Sequence, residues 1–433
     1  MISISVVIPT HNRAGLLSKH LRLLAGQSLG EDRFEVIVVA DGCSDDTANI
    51  VRELELPYQL TVLEESPGIG ASAARNRGAL LAIANVLLFL DDDMEPSRQL
   101  LCVHLQAHEQ LPGGVVLGYF PMQSPEERET VFTKWARLWW AEGFKRRQDP
   151  AYRFSFWDLC TGNTSIAKTA FEGAGGFDET IGKTGAGEDY ELGYRLIRNR
   201  IPFQFVREAA SVHHSSVSWK SHFHRAEQEG FGQAHIVRKH PELFWEFNVA
   251  HLSRLSNSIL LRPLWVALWK VPKLAEPPIA VLRLIARALL SLNVQSLFWR
   301  VHRILRGYAY WKGVRAVLGT LSDWERLAQD APLELPEYRE VDFELSRDLP
   351  NLEEFLRRHG PVDALRVHAY GQPVGRIAPY AAYEALRPAH VRALLVSGFG
   401  SVLLGVLSNR AASGEKFLAG ESCKSTSERR SGG

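Results

Sequence analysis

Cysteine is scarce. The 433 residues hold four, Cys43, Cys102, Cys160 and Cys423, and none sits in a CxxC pair. That spacing indicates neither a zinc site nor a disulfide framework, and a reducing cytoplasm fits best. The chain also lacks a basic stretch followed by an apolar one at its beginning. Ile2–Pro9 opens directly as a strand-like run, so no secretory signal is expected. Long apolar runs are missing too. Within 254–315 the longest uncharged stretch is Ala288–Trp299, twelve residues, too short to span a bilayer. Ala393–Asn409 is uncharged for seventeen residues but carries Gly398, Gly400 and Gly405, and reads as a buried helix rather than an anchor. No internal repeat is visible.

What is present points to a packed protein. Hydrophobic residues make up 45% and charged residues 23%, as a globular core requires, and the length suits two or three domains. The formal charge is only +1, but it is unevenly spread. Between Arg254 and Arg315 eleven Lys or Arg face one acid, Glu276, a local charge of +10. Such an asymmetry suggests a surface facing a polyanion or an anionic membrane. The same segment carries Trp265, Trp269, Trp299 and Trp311, which favours helices lying on a leaflet.

The first ninety residues alternate. Apolar runs at Ile4–Ile8, Val36–Val39, Leu60–Leu63 and Val86–Leu90 are separated by helical stretches at Ala14–Ala25, from about Asp45, and at Ala71–Ala84. Strands separated by helices imply parallel pairing, with ligands beyond the carboxyl ends of the strands. Polar residues stand at those ends: Thr10–Arg13, Asp41–Asp46 and Asp91–Asp93. Residues 219–250 read as helical. Leu327–Leu335 with Pro336 reads as a linker, and Glu340–Leu345 and Leu365–Ile377 as strands, the latter turning at Gly371-Gln372. The expected domains are 1–218, an α/β catalytic domain; 219–325, a basic helical region; 335–405, a small α+β appendage; and 411–433, a disordered tail.

Phe89-Leu90-Asp91-Asp92-Asp93 carries the strongest chemistry. Three adjacent carboxylates after an apolar strand repel, and a hard divalent cation, Mg²⁺ or Mn²⁺, would relieve the repulsion and bridge to a diphosphate. A solvated acidic turn is the plainer alternative. Asp41 precedes the helix cap at Ser44 or Asp45 and is available to a nucleobase. Gly68-Ile69-Gly70-Ala71-Ser72-Ala73 imitates a dinucleotide loop but follows the third strand and lacks the matching acid, so it reads as a glycine loop that carries Arg75 towards a phosphate. Glu188 and Asp189 sit in a helix's first turn, as simple dipole compensation or as a general base. His213-His214 follows an apolar run and can complete a metal shell.

Taken together, these stretches resemble the family-2 glycosyltransferases of the GT-A fold. The matching residues are Val6–Arg13, Val38–Thr47, Ala74–Gly78, Phe89–Asp93, Gly162-Asn163, Gly175–Glu179 and Gly187–Leu192, in the family's order over the first 215 residues. The resemblance implies that Pro9, Thr10 and Arg13 surround the nucleotide, that Asp41 contacts the base, and that Arg75 lies near the diphosphate. It implies a DxD motif in Asp91 and Asp93, with Asp93 the metal ligand, Asp91 nearer the ribose, Asp92 between them, and His213 near the metal. Asp189, beside Glu188, is the implied base of an inverting transfer. The partners it implies are a nucleoside-diphosphate sugar, UDP-linked for preference, and a glycan or lipid-linked acceptor; nucleic acid is not among them. The expected location is the cytoplasm, with peripheral contact to the inner face of the membrane through 254–315. A nucleotidyltransferase and a non-catalytic membrane scaffold are the alternatives. The former wants a glycine-rich loop after the first strand, where Thr10–Gly15 stands.

Overall fold

A computed structural model describes residues 1–126, 129–181, 186–251, 267–332, 337–380 and 382–399. The borderline span 393–409 lies mostly outside these residues, and the tail 411–433, Trp265 and residues 182–185 lie entirely outside them. Two compact units are present, 1–337 with 380–385, and 338–379 with the described residues from 386.

Why the first four strands are so apolar follows from their place in the sheet. β1 (Ile4–Thr10), β2 (Phe34–Asp41), β3 (Gln59–Glu65) and β4 (Val86–Leu90) pair in parallel in the order β3-β2-β1-β4. Both faces of β1, β2 and β4 are covered, so alternate residues enter different cores. Val7, Ile37, Val39, Leu87 and Phe89 pack in one with Ala74 of α3 (Ala71–Leu81). Val6, Ile8, Val36, Val38, Leu88 and Leu90 pack in the other with Leu17 and Leu21 of α1 (Ala14–Leu24) and Val51 of α2 (Thr47–Arg52).

The remaining strands depart from an all-parallel sheet. After β5 (Met94–Pro96), α4 (Leu100–Gln110), β6 (Val115–Tyr119), β7 (Met122–Gln123) and α5 (Val131–Arg147), β8 (Asn163–Ala167) slots between β4 and β6, antiparallel to both. β8 is fully buried though three of its five residues are polar. His104 and His108 of α4 serve two of them, His104 lying 2.8 Å from Ser165 Oγ and 3.0 Å from Asn163 Oδ1 and His108 2.8 Å from Ser165 Oγ, while Thr164 Oγ1 donates to Cys160 O at 2.6 Å. Burial pushes both imidazoles down to about 4, so they serve as neutral partners. α6 (Lys168–Gly173), α7 (Glu188–Arg198) and β9 (Phe203–His214) complete the sheet, β9 pairing with β6, β5 and β7. The sheet is therefore mixed, parallel on its amino-terminal side.

Helices α8 (Trp219–Lys239), α9 (Pro272–Ser291), α10 (Gln295–Leu318) and α11 (Leu321–Asp330) belong to the same unit. α8 starts at a Ser218–Ser221 capping box. It meets α10 at two glycines: a Cβ on Gly230 would lie 1.9 Å from Tyr310 O, and one on Gly313 1.9 Å from Glu227 O. The expected linker at Leu327–Leu335 is corrected in part. Leu327–Asp330 end α11, whose Thr320–Asp323 box starts a real helix; 333–336 lie outside the described residues. Residues 380–385 return to this unit, Glu384 accepting from Phe154 N–H at 2.8 Å.

The second unit holds β10 (Glu340–Glu344), α12 (Leu345–Asp348), α13 (Leu352–His359), β11 (Ala364–Ala369), β12 (Gln372–Ile377) and a helix over 388–399. β11 and β12 form a hairpin turning at Tyr370 and Gly371, both with positive φ as a two-residue turn requires. Phe343, Leu352, Phe355, Leu365, Val367 and Val391 make its core.

Candidate active site

The ends of β1, β2 and β4 bring the polar loops together. Beyond β1, Asn12 (φ 54°) offers Oδ1 to the backbone N–H of Ser44 at 2.8 Å and of Asp45 at 3.1 Å, and His11 Nδ1 lies 2.7 Å from Asp41 O. These contacts fasten the first loop to the second. Asn12 was quoted in the motif above without a role, and its work across 32 residues has no local signature.

Asp41 ends β2. Its carboxylate accepts from the backbone N–H of Ile69 at 2.5 Å and of Gly70 at 2.9 Å. It thereby holds the glycine loop that starts α3. The two loops touch so closely that a Cβ on Gly42 (φ 63°) would lie 2.7 Å from Gly68 Cα. Pro9 stands in β1 one residue before Thr10.

The three aspartates after β4 point different ways. Asp91 accepts from Arg75 Nη2 at 2.8 Å. Asp92 is buried; it accepts from Thr10 Oγ1 and from Arg13 Nη1, each at 2.7 Å. Burial pushes its carboxyl up to about 6 despite Arg13. Arg13 Nη1 also reaches Asp93 at 2.9 Å, and His213 Nε2 stands 3.5 Å from Asp93 Oδ1. Burial opposes the charge of Asp93, yet His213 and Arg13 outweigh it and hold the carboxyl below its ordinary value. Among the described residues Asp93 Oδ1 and His213 Nδ1 are buried with no hydrogen-bond partner. A buried carboxylate oxygen without a donor is the mark of a site built for a cation. Asp93 and His213 stand together, whereas Asp91 is turned to Arg75; among the described residues the ligand atoms that converge closely are those of His20, Glu95 and His214.

The doublet separates. His213 faces Asp93, whereas His214 Nε2 lies 2.8 Å from Glu95, which also takes Lys19 Nζ at 2.7 Å. His20 stacks on His214 and sits 2.9 Å from Asp92 O through Nδ1. Neither His20 nor Glu95 is marked by spacing in the sequence.

Arg75 is the hub. Its guanidinium is buried, joins Asp91 to Glu188 (3.5 Å), and lies over the Phe177 ring at 5.7 Å. Burial opposes its charge; Asp91, Asp189 and Glu188 more than offset that and raise its pKa. Gly187, at φ 111°, opens α7 and turns Glu188 and Asp189 inward. Asp189 accepts from Thr161 Oγ1 at 2.7 Å and from Thr161 N–H at 3.3 Å. Burial first, then neighbouring Glu188, pushes Asp189 up to about 6. Glu188 Oε2 is buried without a partner. Thr161 carries no signal of its own in the sequence, though it immediately precedes Gly162-Asn163; Gly162 O accepts from Asp91 N–H at 3.1 Å, which ties the partner of Asp189 to the acidic triplet. Asp91 and Asp189 thus share one cluster, and Asp93 lies two residues beyond Asp91, turned to Arg13 and His213.

Residues 5–174 match the family described as Glycosyl transferase family 2. Validoxylamine A glucosyltransferase from Streptomyces hygroscopicus subsp. jinggangensis is 34% identical over 56% of this chain and 63% of its own. Hyaluronan synthase from Pasteurella multocida is 31% identical over 49% of this chain and 24% of its own. The chain therefore spans less than two thirds of the length of these relatives. Among solved structures, a mannosyltransferase from Pyrobaculum calidifontis in complex with GDP-Man and Mn²⁺ is 17% identical, over 76% of this chain and 87% of its own, at a TM-score of 0.43.

Proposed function

We propose, from the match of residues 5–174 to glycosyl transferase family 2, that the chain is a metal-dependent, inverting glycosyltransferase. It moves a sugar from a nucleoside diphosphate, UDP for preference, to a hydroxyl of a glycan or lipid-linked acceptor. One observation carries the reading: the loop after β4 and the start of α7 present Asp93, whose buried Oδ1 has no hydrogen bond of ordinary length beside the 3.5 Å approach of His213, and Asp189, whose carboxyl burial raises to about 6. The first suits a cation, the second a general base.

In this reading Asp189 takes the proton of the acceptor hydroxyl on Oδ2, while Thr161 Oγ1 holds Oδ1. The acceptor oxygen bonds to the anomeric carbon from the side opposite the diphosphate, and the bond from that carbon to the phosphate oxygen breaks. Asp93 and His213, with Asp91 turning towards them, would hold a divalent cation, which would supply positive charge against the leaving diphosphate. Arg13, half-exposed beside Asp92 and Asp93, supplies a second positive charge there. Asp92 acts by holding Arg13 and Thr10. Asp41 and Asn12 act by setting the loops into which the nucleotide fits. Arg75 fixes Asp91 and Glu188 relative to each other, so its contribution is positional.

We also place the protein in the cytoplasm with peripheral membrane contact from the basic segment 254–315. Among the described residues no helix is long and apolar enough to cross a membrane. The decisive assay incubates the protein with Mn²⁺, a UDP-sugar and a panel of acceptors and identifies the nucleotide released. Release of UDP with inversion at the anomeric carbon supports the reading; pyrophosphate as product means a nucleotidyltransferase.

A further inference from the structure

The tryptophans of the basic segment cannot all meet a membrane, because two are core residues: Trp311 is 1% and Trp269 7% exposed. Apolar surface is exposed elsewhere. On α9 the outward residues are Leu274, Val281, Leu284 and Ile285, and Leu292 follows at its end, spaced by seven, three, one and seven. That is one face of a helix. Leu284 is 64% and Leu292 72% exposed, whereas Ala275, Ile279 and Ala286 on the inner face are fully buried. A second stripe lies on α5, where Trp135, Leu138 and Trp139 are 44%, 70% and 50% exposed at spacings of three and one.

Both helices meet α8 within one turn of its length. Trp135 packs edge-on against His222 of α8, at 6.2 Å between ring centres. One turn earlier on α8, Trp219 carries the Arg287 guanidinium of α9 over its ring at 5.5 Å. The surroundings are cationic. From 267 to 303 stand Lys270, Lys273, Arg283, Arg287, Arg300 and Arg303 against the single acid Glu276, which Tyr308 engages at 3.0 Å.

We propose that the outer faces of α5 and α9 form a docking surface for an anionic lipid bilayer, with the apolar side chains in the acyl boundary and the cations at the headgroups. A large exposed apolar stripe in mainly cationic surroundings, with Glu142 on α5 and Glu276 on α9 as the acids of the two helices, fits that occupant better than a protein partner, whose apolar patch would leave these cations unmatched. Trp140 of α5 packs on Phe120, whose ring centre lies 6.4 Å from that of His213, so α5 reaches close to the candidate active site. That placement suits an acceptor carried on a lipid, and to this extent the inference deepens the functional reading; the docking itself needs neither donor nor metal.

Sedimentation of the full chain with vesicles tests it directly. The expected result is at least tenfold stronger partition onto phosphatidylglycerol vesicles than onto phosphatidylcholine vesicles at low salt. The variant carrying Leu138→Ser, Val281→Ser and Leu284→Ser should lose at least tenfold while keeping its unfolding midpoint and its turnover of a water-soluble acceptor. A second variant, Lys273→Gln with Arg283→Gln, should weaken partition and flatten its salt dependence. Failure of wild type to bind anionic vesicles, or equal binding by the serine variant, overturns the proposal. So does lipid-free self-association that the serine substitutions abolish, since a second copy would then be the occupant. Loss of turnover with vesicle binding intact would instead refute the catalytic reading.

Discussion

Replacing Asp189 by Asn should stabilise the ligand-free protein while it abolishes transfer. Burial raises the Asp189 carboxyl from 3.8 to about 6. A folded-state pKa above the unfolded one means that ionisation weakens the fold as pH rises from about 4 to about 6, and that the full cost stands above that window. Two units correspond to roughly 3 kcal/mol. Asn avoids the charge but can accept only one of the two hydrogen bonds from Thr161 on its oxygen, which returns about 1 kcal/mol. About 2 kcal/mol of gain remains at pH 8. Taking an unfolding entropy of about 2.1 cal/mol/K per residue over the larger unit, Tm should rise by about 3 °C. The gain should shrink as pH falls below 6, because wild type then becomes neutral at the same position. Transfer should drop by about 10²–10⁴-fold, the span of general-base catalysis. Calorimetry at pH 8 and pH 5 with parallel turnover assays reads all of this. A Tm that falls at pH 8, or transfer that survives, would refute the reasoning.

Two further outcomes follow from named contacts. Thr161→Val removes the hydroxyl that favours the ionised form of Asp189, worth on the order of 1.5 kcal/mol; the acid limb of the kcat/KM profile should move up by about one pH unit, and an unmoved limb would separate Thr161 from the base. Gly42→Ala places a Cβ against Gly68 Cα at a positive φ. It should cost about 2–4 kcal/mol in urea unfolding and weaken UDP binding, whereas a neutral substitution would show that the two loops tolerate separation.

Much of the fold was legible because both-face burial writes itself as β-branched runs. β1, β2 and β4 were readable for that reason, and Val86–Leu90 coincides with the strand seen. β8 was not readable. Asn163, Thr164 and Ser165 look like a loop, and partners far along the chain, the histidines of α4 and the carbonyls of Tyr119 and Ala209, help make their burial tolerable. The tract Leu327–Asp330 was misread because its Pro-containing sequel hid a capping box that begins seven residues earlier, at Thr320. At the site, composition marked Asp91–Asp93 but not their orientations. Asp92 is directed inward by Thr10 and Arg13, some eighty residues away. Arg75 pairs with Glu188 across 113 residues, a contact no local pattern announces. Asp41, read for a nucleobase, holds the backbone of Ile69 and Gly70 as well.

Binding of UDP with and without Mn²⁺, followed as a shift in Tm for wild type and Asp93→Ala, tests most directly whether the acidic cluster grips a diphosphate through a cation. The account predicts a wild-type shift that requires UDP and Mn²⁺ together, growing with the logarithm of ligand concentration, and its loss in Asp93→Ala. A shift of equal size without metal, or one that persists in Asp93→Ala, would contradict it.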